Sequence, residues 1–221
     1  MIVLAIDTAG TGCFAAVYDS AADTVLASAG ADIGRGHAEQ LMAFIDQALA
    51  ESGKLLADIE RIAVTIGPGS FTGIRVGVAA ARGFALALGV PAIGVSVLAA
   101  LAGAAREAHP GQAVLAAMDA KRDELYCQSF EADGTARTQA QMLELPEARR
   151  MFADFAGIIC GTATKHLTDN SQAAVAQTDM TDIRIVARLG ALSDPTQGKP
   201  SPLYLRGPDV KSQAGFAVAR A

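Results

Sequence analysis

The sequence of 221 residues contains no tryptophan, three tyrosines and three cysteines, and aromatic residues make up 5% of it. So few aromatic side chains leave no obvious platform for stacking nucleic-acid bases. Basic residues are also scarce, because 18 lysines and arginines stand against 23 aspartates and glutamates, which gives a formal net charge of −5. A basic nucleic-acid-binding protein is therefore excluded as the default class.

The three cysteines, Cys13, Cys127 and Cys160, form no CxxC pair and have no histidine at a metal-ligand spacing. The three histidines are equally scattered, so no metal site is predicted. An odd number of widely separated cysteines fits buried thiols in a reducing compartment, and the first residues do not resemble a signal peptide. We therefore expect a cytoplasmic protein.

One stretch is long enough to cross a membrane, because no charged residue lies between Arg82 and Arg106. Gly89 and Pro91 interrupt it, and a helix rarely continues through the residue before a proline. We therefore predict core elements of a soluble protein in place of a membrane span. These elements are a helix over 71–88, a strand over 92–95 and a helix over 97–107 that Ser96 caps.

Apolar periodicity predicts two halves with one plan. The first half comprises three strands, a helix over 37–52, a strand over 61–66, and the helix, strand and helix just described. A later strand that ends in Asp119 and returns after a tight turn repeats the strand that ends in Asp7. We predict an α/β fold with an N-terminal subdomain over 1–108, a C-terminal subdomain over 109–206 and a tail over 207–221.

A glycine-rich loop from Gly67 to Gly73 lies between a strand and a helix. Its glycines permit a sharp turn, and Ser70 or Thr72 can cap the helix. The loop lacks the lysine of a P-loop, so a phosphate cradle and a tight structural connection both remain open. Asp7 and Thr8 end the first strand, where a carboxylate either holds a metal-phosphate or caps the turn. The candidate phosphate-binding residues are Asp7, Thr8, Gly67, Gly69 and Ser70.

The helix after this loop carries Gly73, Gly77 and Ala81 four residues apart. Such a smooth stripe permits close packing, either within the core or against another helix. The spacing alone does not decide between these two roles.

Five segments resemble the TsaB family, also called YeaZ, and occur in the family's order. They are AIDTAGTGCFAAVYD, GRGHAEQLMAFIDQAL, IAVTIGPGSFTGIRVGVAAARGFALALGVPAIGVS, AAMDAKRDELY and SPLYLRG. The GPGSFTGIRVG block is specific for the TsaB and TsaD group. The resemblance implies two ribonuclease-H-like subdomains of the actin, sugar-kinase and heat-shock ATPase superfamily.

The resemblance implies a non-catalytic subunit that binds and activates a TsaD-like transferase. That enzyme threonylcarbamoylates the adenosine beside the anticodon of tRNAs that read codons beginning with A. Val97 and Leu101 stand where catalytic relatives carry a metal-binding histidine pair, and the Asp119–Glu124 turn replaces a glycine-rich phosphate loop. The chain is then expected to have no cofactor of its own, while partner subunits use ATP and a metal.

The resemblance also implies the partners, which are the TsaD-like subunit and a TsaE-like ATPase. We expect a self-dimer when the chain is alone, only indirect contact with tRNA, and no membrane. The family's contact uses two helices of the first subdomain, here 37–52 and 71–88. The predicted interface residues are Leu41, Ile45, Leu49, Gly73, Gly77, Val78, Ala81 and Arg82.

Two rival functions remain. A small-molecule kinase or ATPase of the same superfamily would depend on Asp7, Thr8 and the glycine-rich loop. A glycoprotease-type peptidase is the other alternative, although no nucleophile constellation supports it.

Overall fold

The computed structural model describes residues 1–168, 174–175 and 180–206, so the predicted tail over 207–221 lies outside the described residues. The first half of the chain forms five strands and three helices. They are β1 (Ile2–Asp7), β2 (Gly12–Asp19), β3 (Thr24–Asp32), α1 (His37–Ser52), β4 (Arg61–Gly67), α2 (Phe71–Leu88), β5 (Ala92–Ser96) and α3 (Val97–Ala108). The predicted order of elements in this half is confirmed.

The second half forms five strands and three helices. They are β6 (Val114–Lys121), β7 (Glu124–Phe130), β8 (Gln141–Glu144), α4 (Leu145–Met151), β9 (Ile158–Cys160), α5 (Thr164–Leu167), β10 (Ala174–Val175) and α6 (Ile183–Leu192). Short 3₁₀ turns lie at Leu56–Asp58 and Pro195–Gln197.

Both sheets have the same strand order. The first is β3-β2-β1-β4-β5 and the second, read in the same direction, is β8-β7-β6-β9-β10. In each sheet the central strand pairs antiparallel with the next strand along the chain and parallel with the fourth. The prediction that the second half repeats the plan of the first is therefore confirmed.

Some predicted boundaries in the second half were wrong. The strand predicted to end at Asp119 continues to Lys121. The connection to β7 is therefore a hairpin loop of two residues, Arg122 and Asp123. Both residues have positive φ, the geometry that two-residue hairpin loops require. The short elements β8 and α5 were not predicted, and they flank helix α4, which ends at Met151.

Local sequence signals explain both ends of α2. The Ser70 side chain accepts a hydrogen bond from the Gly73 N–H at 3.2 Å, and Gly89 ends the helix at φ 68°. Left-handed backbone of this kind favours glycine. The cap predicted at the start of α3 was wrong, since the Ser96 hydroxyl makes no capping hydrogen bond.

Helix α6 comes from the second half of the sequence but packs on the first sheet. Ile185 and Val186 belong to one buried cluster with Val3 and Ala63 of β1 and β4. A Cβ on Gly190 would lie 2.3 Å from the Cβ of Ala63, so the helix and the strand approach closely. The sequence of the second half therefore completes the core of the first, and the division at residue 108 stays a prediction.

Candidate functional site

Asp7 lies at the carboxyl end of β1, where the sequence allows either a metal-bound phosphate or a capped turn. Its side chain is 5% exposed. One carboxylate oxygen accepts hydrogen bonds from the Ala9 N–H at 3.0 Å and the Thr65 hydroxyl at 2.6 Å, and the other accepts from the Thr181 hydroxyl. Both oxygens therefore serve the fold, which matches the turn-capping interpretation of this residue.

The glycine-rich loop is closed against the end of β1. The Ser70 N–H donates to the Ala9 carbonyl at 2.6 Å, and the Thr8 hydroxyl donates to the Gly73 carbonyl at 2.8 Å. A Cβ on Gly69 would lie 2.2 Å from the Ala9 oxygen. Because Gly69 has no side chain, the Ala9 backbone can pack against it, and the loop forms a tight structural connection. Phosphate binding by Asp7, Thr8, Gly67, Gly69 and Ser70 stays a prediction.

Residues 199–206, here called the closing segment, join the equivalent loops of the two halves. The Leu203 N–H donates to the carbonyl of Ile66, next to the glycine-rich loop, at 2.8 Å. Arg206 donates to the Ala120 carbonyl at 2.8 Å and forms an ion pair with Glu124 at the β6–β7 turn. The edge between the two loops is thus bridged by the chain itself.

The β6–β7 turn is fixed by polar contacts within the second half. The Asp119 carboxylate accepts from the Lys121 N–H at 2.7 Å, and the Asp119 N–H donates to the Thr162 hydroxyl at 2.9 Å. Val97 and Leu101 are buried among apolar side chains of the core. In the ranges that the structure describes, no group of three or more histidine, cysteine or acidic side chains is arranged for a metal.

The predicted interface residues are mostly internal. Only Arg82 is exposed, whereas the other seven are buried within the fold, namely Leu41, Ile45, Leu49, Gly73, Gly77, Val78 and Ala81. A Cβ on Gly77 would lie 2.4 Å from the Thr8 hydroxyl oxygen, so the small-residue stripe packs against β1. These seven residues present little surface to a partner in this conformation, and an interface on the two helices stays a prediction.

Beside this stripe α2 carries an apolar surface that the described residues cover only in part, and we call it the α2 face. Its residues are exposed or half-buried, and they are Thr72, Val76, Ala79, Ala80, Gly83 and Ala87. Among the described residues α2 alone is long and apolar enough to cross a membrane, yet 28% of it is buried. Sequence reasoning missed this face, although its residues recur at helical spacing beside the stripe of Gly73 and Gly77.

No thiol in the described residues is activated as a nucleophile. Burial, with a smaller effect from Asp7, raises the pKa of Cys13 to about 11. Burial raises the pKa of both Cys127 and Cys160 to about 12. A thiolate is the reactive form of cysteine, so these side chains act as small apolar residues of the core.

Comparison with known proteins connects this architecture to one family. The family model described as TsaD, tRNA N6-adenosine threonylcarbamoyltransferase, matches residues 31–154, which is more than half of the chain. The tRNA threonylcarbamoyladenosine biosynthesis protein TsaB of Escherichia coli (strain K12) is 37% identical over 133 residues. That match covers 60% of this chain and 56% of the TsaB protein. The chain spans about half the length of the TsaB proteins with which it was aligned.

Solved structures support the same assignment of fold. YeaZ from Pseudomonas aeruginosa superimposes with a TM-score of 0.74 at 25% identity, and the match covers 92% of this chain and 99% of that one. An inorganic polyphosphate/ATP-glucomannokinase from Arthrobacter shares the fold alone, with a TM-score of 0.51 at 13% identity over 86% of this chain and 98% of the kinase. The predicted actin, sugar-kinase and heat-shock ATPase fold is confirmed.

Proposed function

The chain belongs to the TsaD family and, within it, to the TsaB and YeaZ group, and from this premise we propose that it is a non-catalytic subunit in tRNA threonylcarbamoyladenosine biosynthesis. It docks on a TsaD-like transferase and makes that enzyme competent. The product is the modified adenosine beside the anticodon of tRNAs that read codons beginning with A.

The observation that carries this proposal is the α2 face. An 18-residue apolar helix of which 28% is buried leaves a surface that the described residues do not cover. Small side chains at Ala79, Ala80 and Gly83 allow a second helix to approach closely. The exposed Met42 of α1 adds a flexible apolar contact on the neighbouring helix. A helical partner surface fits these features.

The contacts at the carboxyl end of β1 support a chain that does not itself catalyse the reaction. A kinase or ATPase would need Asp7 and the glycine-rich loop for a metal-bound phosphate. The Asp7 oxygens are occupied by the Ala9 N–H and two threonine hydroxyls, and Gly69 lies against the Ala9 carbonyl. We therefore assign the chemistry, together with ATP and any metal, to the partner subunits.

The partners follow from the same premise. The chain binds the TsaD-like subunit directly, functions with a TsaE-like ATPase, and reaches tRNA only through the assembly. Its own net charge of −5 opposes a strong contact with the phosphate backbone. Because a partner built on the same plan presents similar helices, two copies of this chain pair through the α2 face when no partner is present.

The test is a reconstitution with the TsaD-like and TsaE-like proteins and tRNA of the same organism. Gly83→Arg places a bulky cation on the α2 face, where a Cβ would have no neighbour within 4 Å, so the fold is retained. Leu192→Arg is the matched control, since Leu192 is 78% exposed at the end of α6. Thermal unfolding verifies both variants, calorimetry measures association, and nucleoside mass spectrometry measures the modified base.

We expect Gly83→Arg to weaken association by roughly a hundredfold or more, as desolvating an unpaired charge at a helix interface costs several kcal/mol. The modified base falls in proportion, and the same variant sediments as a monomer. Leu192→Arg behaves as the unaltered chain. Undiminished association of Gly83→Arg would reject the α2 face, and full modification without this chain would reject the role.

A further inference from the structure

A separate groove lies beside the C-terminal half of α2. It has a volume of about 580 Å³ and is bounded by α2, the α2–β5 connection and the segment from Pro195 to Pro200. Leu86, Val90 and Pro91 contribute apolar surface. Leu86 is 84% exposed, the highest value among the large exposed hydrophobic residues of the described chain. A groove of this size accommodates one or two apolar side chains of a ligand.

The charges around this groove have one sign. Of the thirteen lining residues only Arg82 and Lys199 are charged, and none is acidic. The Asp194 carboxylate lies outside this lining and accepts hydrogen bonds from the N–H and the hydroxyl of Thr196 at 2.8 Å each. An all-positive lining is unexpected in a chain with a net charge of −5.

These two cations also differ from most arginines of the molecule. Arg184, Arg188 and Arg206 form ion pairs, and Arg61 donates to three carbonyls at the end of α6. The Arg82 guanidinium and the Lys199 ammonium form neither ion pairs nor hydrogen bonds with the part of the chain that the structure describes. They therefore remain available to a ligand.

We infer that this groove is a docking site for an acidic segment of a protein partner. An apolar side chain of that segment enters the groove beside Leu86, and its carboxylates pair with Arg82 and Lys199. Opposite charges at the rim give orientation and association rate, while the apolar floor contributes burial. The site adjoins the α2 face at Gly83, which lines the groove, but it rests on the two cations and the apolar walls of the groove and not on the proposed function.

A peptide is favoured over a nucleic acid by the composition of the groove. Arg75, the nearest stacked cation on α2, already lies over the Phe71 ring at 3.5 Å and donates to the Tyr204 hydroxyl at 2.8 Å. The groove itself contains no aromatic residue on which a base would stack. Apolar walls with two flanking cations match a short acidic and apolar peptide.

The experiment uses the ¹⁵N-labelled full chain and three probes. The first is the acetylated peptide Glu-Leu-Phe-Glu-Asp-Leu, the second is its basic counterpart Lys-Leu-Phe-Lys-Lys-Leu, and the third is an oligouridine octamer. Amide shifts locate each probe and give its dissociation constant. The variant Arg82→Gln with Lys199→Gln removes both cations, and Arg35→Gln with Lys54→Gln removes the same charge away from the groove.

We expect the acidic peptide to shift amides of the groove at millimolar concentration, and the groove variant to weaken it by roughly tenfold. The control variant and the basic peptide leave the groove unchanged. The inference is overturned if the acidic peptide produces no shifts there or if the basic peptide shifts the same amides. It is also overturned if the RNA octamer binds the groove more tightly than the acidic peptide does.

Discussion

The two halves of the chain share one strand order but differ in the size of their elements. The strands of the first sheet have 6, 8, 9, 7 and 5 residues, whereas their counterparts have 8, 7, 4, 3 and 2. The helices α1 and α2 have 16 and 18 residues, while α4 and α5 have 7 and 4. The common topology is therefore retained in both halves, but among the described residues the long helices that suit docking occur only in the first.

The halves also use the aspartate after the central strand differently. Asp7 is buried and its carboxylate accepts hydrogen bonds from two threonines and one backbone N–H. Asp119 is exposed and its carboxylate accepts from the Lys121 N–H. An aspartate after the central strand thus has a different role in each half. The difference arises because α6 and the residues before it, including Thr181, cover the first sheet and bury Asp7.

The largest expected effect comes from separating the halves. A fragment of residues 1–108 lacks α6, so Val3, Ala63 and other apolar side chains of the first sheet become exposed. We expect the fragment to lack a cooperative unfolding transition, because about 25 cal/mol of stabilisation is lost per Å² of apolar surface left in water. Circular dichroism during heating measures this.

A chain of residues 1–206 is the control, since it keeps every described element and is expected to unfold cooperatively. Cooperative unfolding of the 1–108 fragment would instead show that the first half is an independent domain, as the predicted subdomain boundary implies.

A smaller effect distinguishes the two aspartates. Asp7→Ala leaves the Thr65 and Thr181 hydroxyls without their acceptor in a buried place, so we expect a loss of about 3 kcal/mol of unfolding free energy. Asp119→Ala removes one exposed turn contact and is expected to cost about 1 kcal/mol or less. Urea unfolding of the two variants provides the measurement, and equal losses would contradict the different roles assigned to them.

The smallest effect concerns the ion pairs of the two halves. Arg188 of α6 pairs with Asp23 and Glu107, tying α6 to the β2–β3 turn and to α3. Hydrogen bonds from Tyr18 and then Arg188 lower the pKa of Asp23, and a hydrogen bond from Arg184 is the main cause that lowers the pKa of Glu107. In the second half Arg137 and Glu131 form an exposed pair at 3.6 Å.

Both pKa values are lowered in the folded state. The two carboxylates therefore contribute fully to the free energy of unfolding above their ordinary pKa values of 3.8 and 4.5. This stabilisation is lost as the pH falls below the ordinary pKa values and then through the lower pKa values of the folded state. We therefore expect Arg188→Met to lower the urea midpoint at pH 7 and to reduce its fall between pH 6 and pH 3. Arg137→Met is the control for a solvent-screened pair, and an identical pH profile for Arg188→Met and the unaltered chain would refute the prediction.

Most of the fold could be predicted because its signals are local. The caps at Ser70 and Gly89 and the helical spacing of Leu41 and Ile45 fix α1 and α2 within the first half. The short elements β8 and α5 had no comparable signal, since four residues give too few periods to distinguish a strand from a turn.

The candidate site was less predictable because it depends on which face of a helix is buried. The stripe containing Gly73 and Gly77 is compatible with a core or an interface, and only the approach of Thr8 decides the matter. The closing segment is a similar case. Nothing near Arg206 in the sequence indicates that its partner is Glu124, 82 residues earlier.

That closing segment has a consequence for the order of events during synthesis. Domains generally fold from the N-terminus as the chain leaves the ribosome, so the glycine-rich loop and the β6–β7 turn are translated well before Leu203 and Arg206. The bridge between Ile66 and Glu124 is therefore the last of these connections to form. A polypeptide released before Leu203 has both sheets encoded in full but has no bridge between the two loops.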